Sequence, residues 1–84
     1  MVENKPVLRT QMNYNDILLR VLGLGVYSIR NKNELYHEIR MFCDENKDVV
    51  PSFNSDRHID LTLVNLIRDD LVFIEKDTNH LRVR

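Results

Sequence analysis

Three stretches of this chain repeat apolar side chains at the 3.6-residue period of an α-helix, and two short alternating runs around a polar turn follow them. In the first stretch Tyr14, Ile17, Leu18, Val21 and Leu22 fall at i, i+3, i+4, i+7 and i+8. Leu35, Ile39, Phe42 and Cys43 repeat in the second stretch, and Ile59, Leu63, Leu66 and Ile67 in the third. Beyond them, Leu71 to Glu75 and His80 to Arg84 flank Lys76-Asp77-Thr78-Asn79, a four-residue segment suited to a hairpin. Each helical stripe needs a partner to cover it, and 84 residues can close only one core. The pattern therefore predicts a single α+β domain, mainly α, in which three helices share their apolar faces and a C-terminal hairpin packs beside them.

Local signals mark the boundaries. Asn13 can cap the first helix, with Asp16 at its third position and Met12 and Ile17 placed as a hydrophobic staple. Gly23 and Gly25 are read as the stop, through the left-handed conformation that glycine accepts. Val26 to Ile29 are strand formers in a run too short for a helix, so a brief strand is expected there. Asn31 with Glu34 three residues on has capping-box spacing and opens the second helix. The polar stretch 44–54 contains Pro51 and reads as a loop, with Val49, Val50 and Phe53 folding back onto the core. Ser55 or Asp56 caps the third helix, which runs to Asp69 or Asp70. Residues 1–12 read as an arm in which Val7 and Leu8 pair as a short strand; 13–84 form the domain.

Composition removes several functional classes. Cys43 is the only cysteine, which excludes an internal disulfide and a cysteine-built zinc cluster and points to a reducing, intracellular location. No window has the apolar length of a signal peptide or a membrane span, so a soluble cytoplasmic protein is expected. His37, His58 and His80 lie on three different elements without ligand spacing, and Cys43 falls on a core face. Neither an enzyme nor a cofactor or metal site is expected. Alanine is absent and asparagine occurs nine times, a bias that fits an AT-rich coding genome, viral or phage genomes included.

The order arm, helix, short strand, helix, helix, hairpin over residues 13–84 resembles the winged helix-turn-helix superfamily. The stretch Leu63-Val64-Asn65-Leu66-Ile67-Arg68-Asp69-Asp70-Leu71-Val72-Phe73-Ile74, followed after the turn by Leu81-Arg82-Val83, is similar to the family's third helix, tight turn and wing. Two features depart from that pattern. Asp70 stands at the turn position that is commonly glycine, which aspartate's tolerance of left-handed backbone permits. The loop between the second and third helices is also longer than the usual tight turn. The resemblance implies a third helix that enters the major groove of DNA and a wing that touches the backbone, or a protein-docking module, because the fold serves both uses.

Winding the third helix at 100° per residue places Arg57, Leu61, Val64 and Arg68 in one stripe opposite the core, with Asn65 beside it and Asp60 at its edge. Arginines can contact guanine or phosphate bidentately, and the apolar pair can meet thymine methyl groups. The same composition, an apolar centre between arginines, also suits a protein interface. Alternation puts His80, Arg82 and Arg84 on one face of the last strand, and with Lys76 at the turn they can hold a phosphate; a charged edge strand that resists aggregation explains them equally well. Lys5 and Arg9 either reach a groove or only solvate the arm.

Two readings follow. One is a small transcription or replication regulator that binds double-stranded DNA, acting as a homodimer because one domain of this size makes few phosphate contacts. The alternative is a module that docks on transcription or replication machinery through the third helix. A formal charge of −1 does not decide between them, since positions 55–70 alone hold two arginines against four aspartates.

Overall fold

Asn13 starts the first helix in the way its position predicts. In the computed structural model, which describes residues 12–84, its side-chain oxygen accepts the Asp16 backbone N–H at 2.8 Å, and α1 runs Tyr14–Leu24. The expected arm, with Val7, Leu8, Lys5 and Arg9, lies outside the described residues apart from Met12. That residue packs partly buried against the core and donates its backbone N–H to the Val49 carbonyl at 3.1 Å.

The end of α1 differs from expectation. Neither glycine is left-handed: Gly23 lies inside the helix, and Gly25 is extended at φ −151°. Gly25 answers a different requirement, because a Cβ there would lie 2.8 Å from the hydroxyl oxygen of Tyr27, which is itself buried. The chain leaves the helix extended so that Tyr27 can fold back over that bare backbone. The strand expected over 26–29 shrinks to isolated bridges, since Ser28 turns the chain back on itself and pairs with both Asn31 and His80. The segment still lies alongside the hairpin, with the Leu81 N–H donated to the Tyr27 carbonyl at 2.8 Å and the Ile29 N–H to the Asn79 carbonyl at 2.9 Å.

The second helix, α2 (Asn33–Glu45), begins later than the capping box predicts. Lys32 occupies the cap position without a side-chain bond, while Asn31 Oδ1 accepts the Asn33 N–H at 3.3 Å in a local turn. Its C-terminus takes in Asp44 and Glu45, so the loop begins at Asn46, whose carbonyl accepts the N–H groups of Val49 and Val50. That loop does fold back. Val50 and Phe53 are buried, Val49 is half-buried, and Phe53 meets the rings of Tyr14 and His58 at 4.7 and 4.9 Å between centroids. The Asn54 N–H donates to His58 Nδ1, and the Tyr14 hydroxyl to the Ser52 carbonyl, which tie the loop to the helix that follows it and to α1.

Ser55 caps α3 (Asp56–Arg68) by accepting the His58 N–H at 3.2 Å. The helix closes in a Schellman motif: the Leu71 N–H reaches the Leu66 carbonyl at 3.0 Å, the Asp70 N–H reaches that of Ile67 at 3.1 Å, and Asp70 sits at φ +65°. Aspartate thus fills the expected left-handed position. The hairpin pairs β1 (Val72–Ile74) with β2 (Leu81–Val83) in the register Val72 with Val83, Phe73 with Arg82, and Ile74 with Leu81. Both strands are shorter than the predicted 71–75 and 80–84, although bonds from Arg84 to Leu71 and from Glu75 to His80 continue the pairing at both ends.

The core joins all five elements. Ile17, Leu18, Leu35, Ile39, Ile59, Leu63, Leu66, Val72 and Leu81 are almost wholly enclosed, whereas Phe42 and Ile67 sit half-buried at its border. Among the described residues, three helices and a two-stranded antiparallel hairpin give an α+β, mainly α, fold compatible with a winged-helix-like arrangement. No helix among the described residues is long and apolar enough to cross a membrane.

Candidate functional site

Because the core takes Ile59, Leu63 and Leu66 from α3, the opposite face of that helix is left to solvent. Leu61 is 53% and Val64 56% exposed, and Arg57, Asn65 and Arg68 are exposed with them. Large apolar side chains so open on a helix flanked by arginines form a patch that excludes little water until something covers it.

The acids of this helix do not share the stripe's freedom. Asp56 pairs with Arg40 of α2. Asp60 Oδ1 accepts two bonds, from Lys32 Nζ at 2.9 Å and from the Tyr36 hydroxyl at 2.7 Å, so that one carboxylate clasps α2 to α3. The bond to Asp60 raises the Lys32 pKa, and burial followed by the Tyr36 hydroxyl's own bond to Asp60 raises that of Tyr36. At the far end Asp70 holds Arg84 at 3.1 Å, and Asp69 lies 3.9 Å from Arg68, with both of those side chains well exposed. Arg57 has no ion-pair partner among the described residues. Three of the four aspartates are therefore matched by cations from outside the helix. The tally of two arginines against four aspartates overstates its negative field.

The hairpin behaves differently. Alternation places Arg82 and Arg84 on the outer face with Phe73, where each is paired with a carboxylate while remaining partly open to solvent. The Arg82 guanidinium bonds Glu75 Oε1 through two nitrogens, each at 3.2 Å, and Arg84 lies over the Phe73 ring at 4.8 Å while it pairs with Asp70. A bond from the Thr78 hydroxyl, then the contact with Arg82, holds the Glu75 carboxyl below the usual glutamate range. His80 bridges to Ser28, and its Nδ1 is buried without a hydrogen-bond partner. Lys76, exposed in the turn, carries no ion pair among the described residues.

The structure thus brings Arg57, Leu61, Val64, Asn65 and Arg68 together and leaves Lys76 open, while Arg82, Arg84 and His80 are engaged within the fold. Sequence reasoning missed the Lys32–Asp60–Tyr36 clasp. Lys32 at the cap of α2 and Tyr36 within it lie 28 and 24 residues from Asp60 on α3, and the only local trace is that Asp60 falls at the edge of the stripe rather than within it. Cys43 is buried, and that burial raises its pKa, so the thiol has little nucleophilic character. No group of three or more potential metal-ligating side chains occurs among the described residues. No protein-family model, curated protein or solved structure matches the chain.

Proposed function

We propose that the chain is a winged-helix protein that binds double-stranded DNA as a regulator of transcription or replication, with α3 in the major groove and the hairpin turn against the backbone. The observation that carries this reading is the sorting of charge on α3. Three of the four aspartates on and just after it are paired with Arg40, Lys32 and Arg84, while Arg57 and Arg68 flank Leu61, Val64 and Asn65 on the open face. Arginine is suited to guanine edges or phosphate, asparagine to adenine, and the apolar pair to thymine methyl groups. Arg68 is not withheld by Asp69, because an exposed pair at 3.9 Å contributes almost nothing and gives way to a phosphate. Lys76 is the wing's available cation.

A titration of labelled duplex DNA with the protein tests this. Arg57→Ala and Arg68→Ala should each weaken binding by about 1–3 kcal/mol, with the folded structure unchanged because both side chains are exposed. Affinity indifferent to both substitutions would remove α3 as the reading element.

One observation favours a second reading. The wing arginines are paired with Glu75 and Asp70 at 3.2 and 3.1 Å, and Leu61 and Val64 are more than half exposed, which suits a protein partner that presents an apolar centre rimmed by carboxylates. Leu61→Ser with Val64→Ser should abolish docking of such a partner, whereas DNA affinity should fall by less than the arginine substitutions cost.

A further inference from the structure

A second surface, sharing no residue with the α3 stripe, lies where α1 ends. Leu24 is 75% exposed, Val26 is 54% exposed and Met41 of α2 is 42% exposed. Leu24 stands between two hollows. One, of about 260 Å³, it shares with Val21, Tyr27, Met41 and Phe42; the other, of about 400 Å³, it shares with Val26 and Val83. A protruding leucine beside a hollow lined by apolar side chains is complementary to a copy of itself.

Gly23 adds an independent observation. It lies in the last turn of α1 with ordinary helical backbone, and a Cβ built on it would meet nothing within 4 Å. Glycine in a helix costs about 1 kcal/mol relative to alanine, and nothing among the described residues requires one there. A bare backbone beside an exposed leucine is what close approach by a second chain requires.

Charge identifies the occupant. Arg20, one turn before Leu24 on α1, is exposed, and Glu38 and Glu45 of α2 border the apolar hollow. None of the three has an ion-pair partner among the described residues. The surface thus carries a cation on its α1 side and carboxylates on its α2 side. A two-fold axis sets each side against its complement.

We infer that this face joins two copies of the chain as a symmetric dimer, with each Leu24 seated in the other copy's smaller, apolar hollow, Gly23 at the edge of the larger one leaving room for the close approach, and each Arg20 facing the other copy's Glu38 and Glu45. Sedimentation equilibrium of the full chain over a wide concentration range tests it. A reversible dimer is expected, and because a symmetric contact loses both copies of any substituted side chain, Leu24→Asp should weaken it about a hundredfold or more. Gly23→Gln gives a sharper reading: the better helix former should raise the melting temperature of a free monomer, yet here it should drive dissociation. Arg20→Glu should loosen the dimer about tenfold, and pairing it with Glu45→Lys should recover part of the loss. A wild-type chain that stays monomeric at every concentration would overturn the inference. So would a dimer that persists unchanged in both Leu24→Asp and Gly23→Gln. Loss of DNA binding by Arg57→Ala with the dimer intact would separate this surface from the α3 reading.

Discussion

Beside the Arg40–Asp56 pair, the Asp60 carboxylate fastens α3 to the start of α2, and Asp60→Asn measures how much it contributes. Asp60 Oδ1 accepts the Tyr36 hydroxyl at 2.7 Å and Lys32 Nζ at 2.9 Å. A hydrogen bond to a charged acceptor is worth about 1.5–3 kcal/mol when well shielded, and an exposed ion pair about 0.2–1 kcal/mol. The Lys32 and Asp60 side chains are 27% and 36% exposed, so solvent screens the pair and both contributions fall toward their lower ends. The clasp as a whole then supplies about 2 kcal/mol, with the Tyr36 bond the larger share. Asparagine keeps an oxygen in place but loses the charge, which should cost about 1 kcal/mol; Tyr36→Phe should cost about the same. Both substitutions report one bond, so the double variant should cost less than their sum, with a coupling of about 0.5–1.5 kcal/mol. Urea unfolding of the four proteins gives these quantities directly, and each kcal/mol should move the melting temperature by about 4–8 °C for a domain of this size. Strictly additive costs, or an Asp60→Asn protein more stable than the parent, would show that the carboxylate does not fasten the two helices.

Three further outcomes follow from local geometry. Gly25→Ala puts a Cβ 2.8 Å from the Tyr27 hydroxyl, so it should displace that buried ring and destabilise the fold by about 1–3 kcal/mol in chemical denaturation. Asp70→Val, at φ +65°, should cost at least about 1 kcal/mol by the same assay, whereas Asp70→Gly relieves the backbone and gives up only an exposed pair with Arg84. Stability should also decline at both ends of the pH scale. The raised pKa values of Lys32, Tyr36 and Tyr27 give stability that is complete below their ordinary 10.5, 10.0 and 10.0, so the melting temperature falls as pH rises through the folded values. The lowered pKa of Glu75 gives stability present above the ordinary glutamate value, and this is lost as acid titrates it. Melting curves across pH check both limbs, and Glu75→Gln should flatten only the acid one.

What the sequence discloses here is whatever a few neighbouring residues decide. The periods of the three helices, the caps at Asn13 and Ser55, and the left-handed place of Asp70 are local, because a helix face repeats within four residues and a cap reaches three. Gly25 was legible as a break but not for its reason, since the ring that needs it belongs to Tyr27 and takes its position from the core. Asn31 has capping spacing and still does not cap: its side chain closes a tighter turn one step early. The segment 26–29 has strand composition, yet pairing needs a partner in register, and the turn at Ser28 leaves room for bridges only. For the site, the α3 stripe follows from the helical period alone. The charge state of that face does not, because Arg40, Lys32 and Arg84 reach it from other elements. The same holds for the wing, where alternation fixes the side on which Arg82 and Arg84 lie but not that Glu75 and Asp70 already hold them.

The most direct test of the DNA reading is the salt dependence of duplex binding by the wild-type chain. Among the described residues Arg57 and Lys76 carry no ion pair and Arg68 only an exposed one at 3.9 Å, so with these three on phosphates log K should fall against log salt with a slope of roughly −3 per protein. Binding that is absent at low salt, or that does not change with salt, would contradict it.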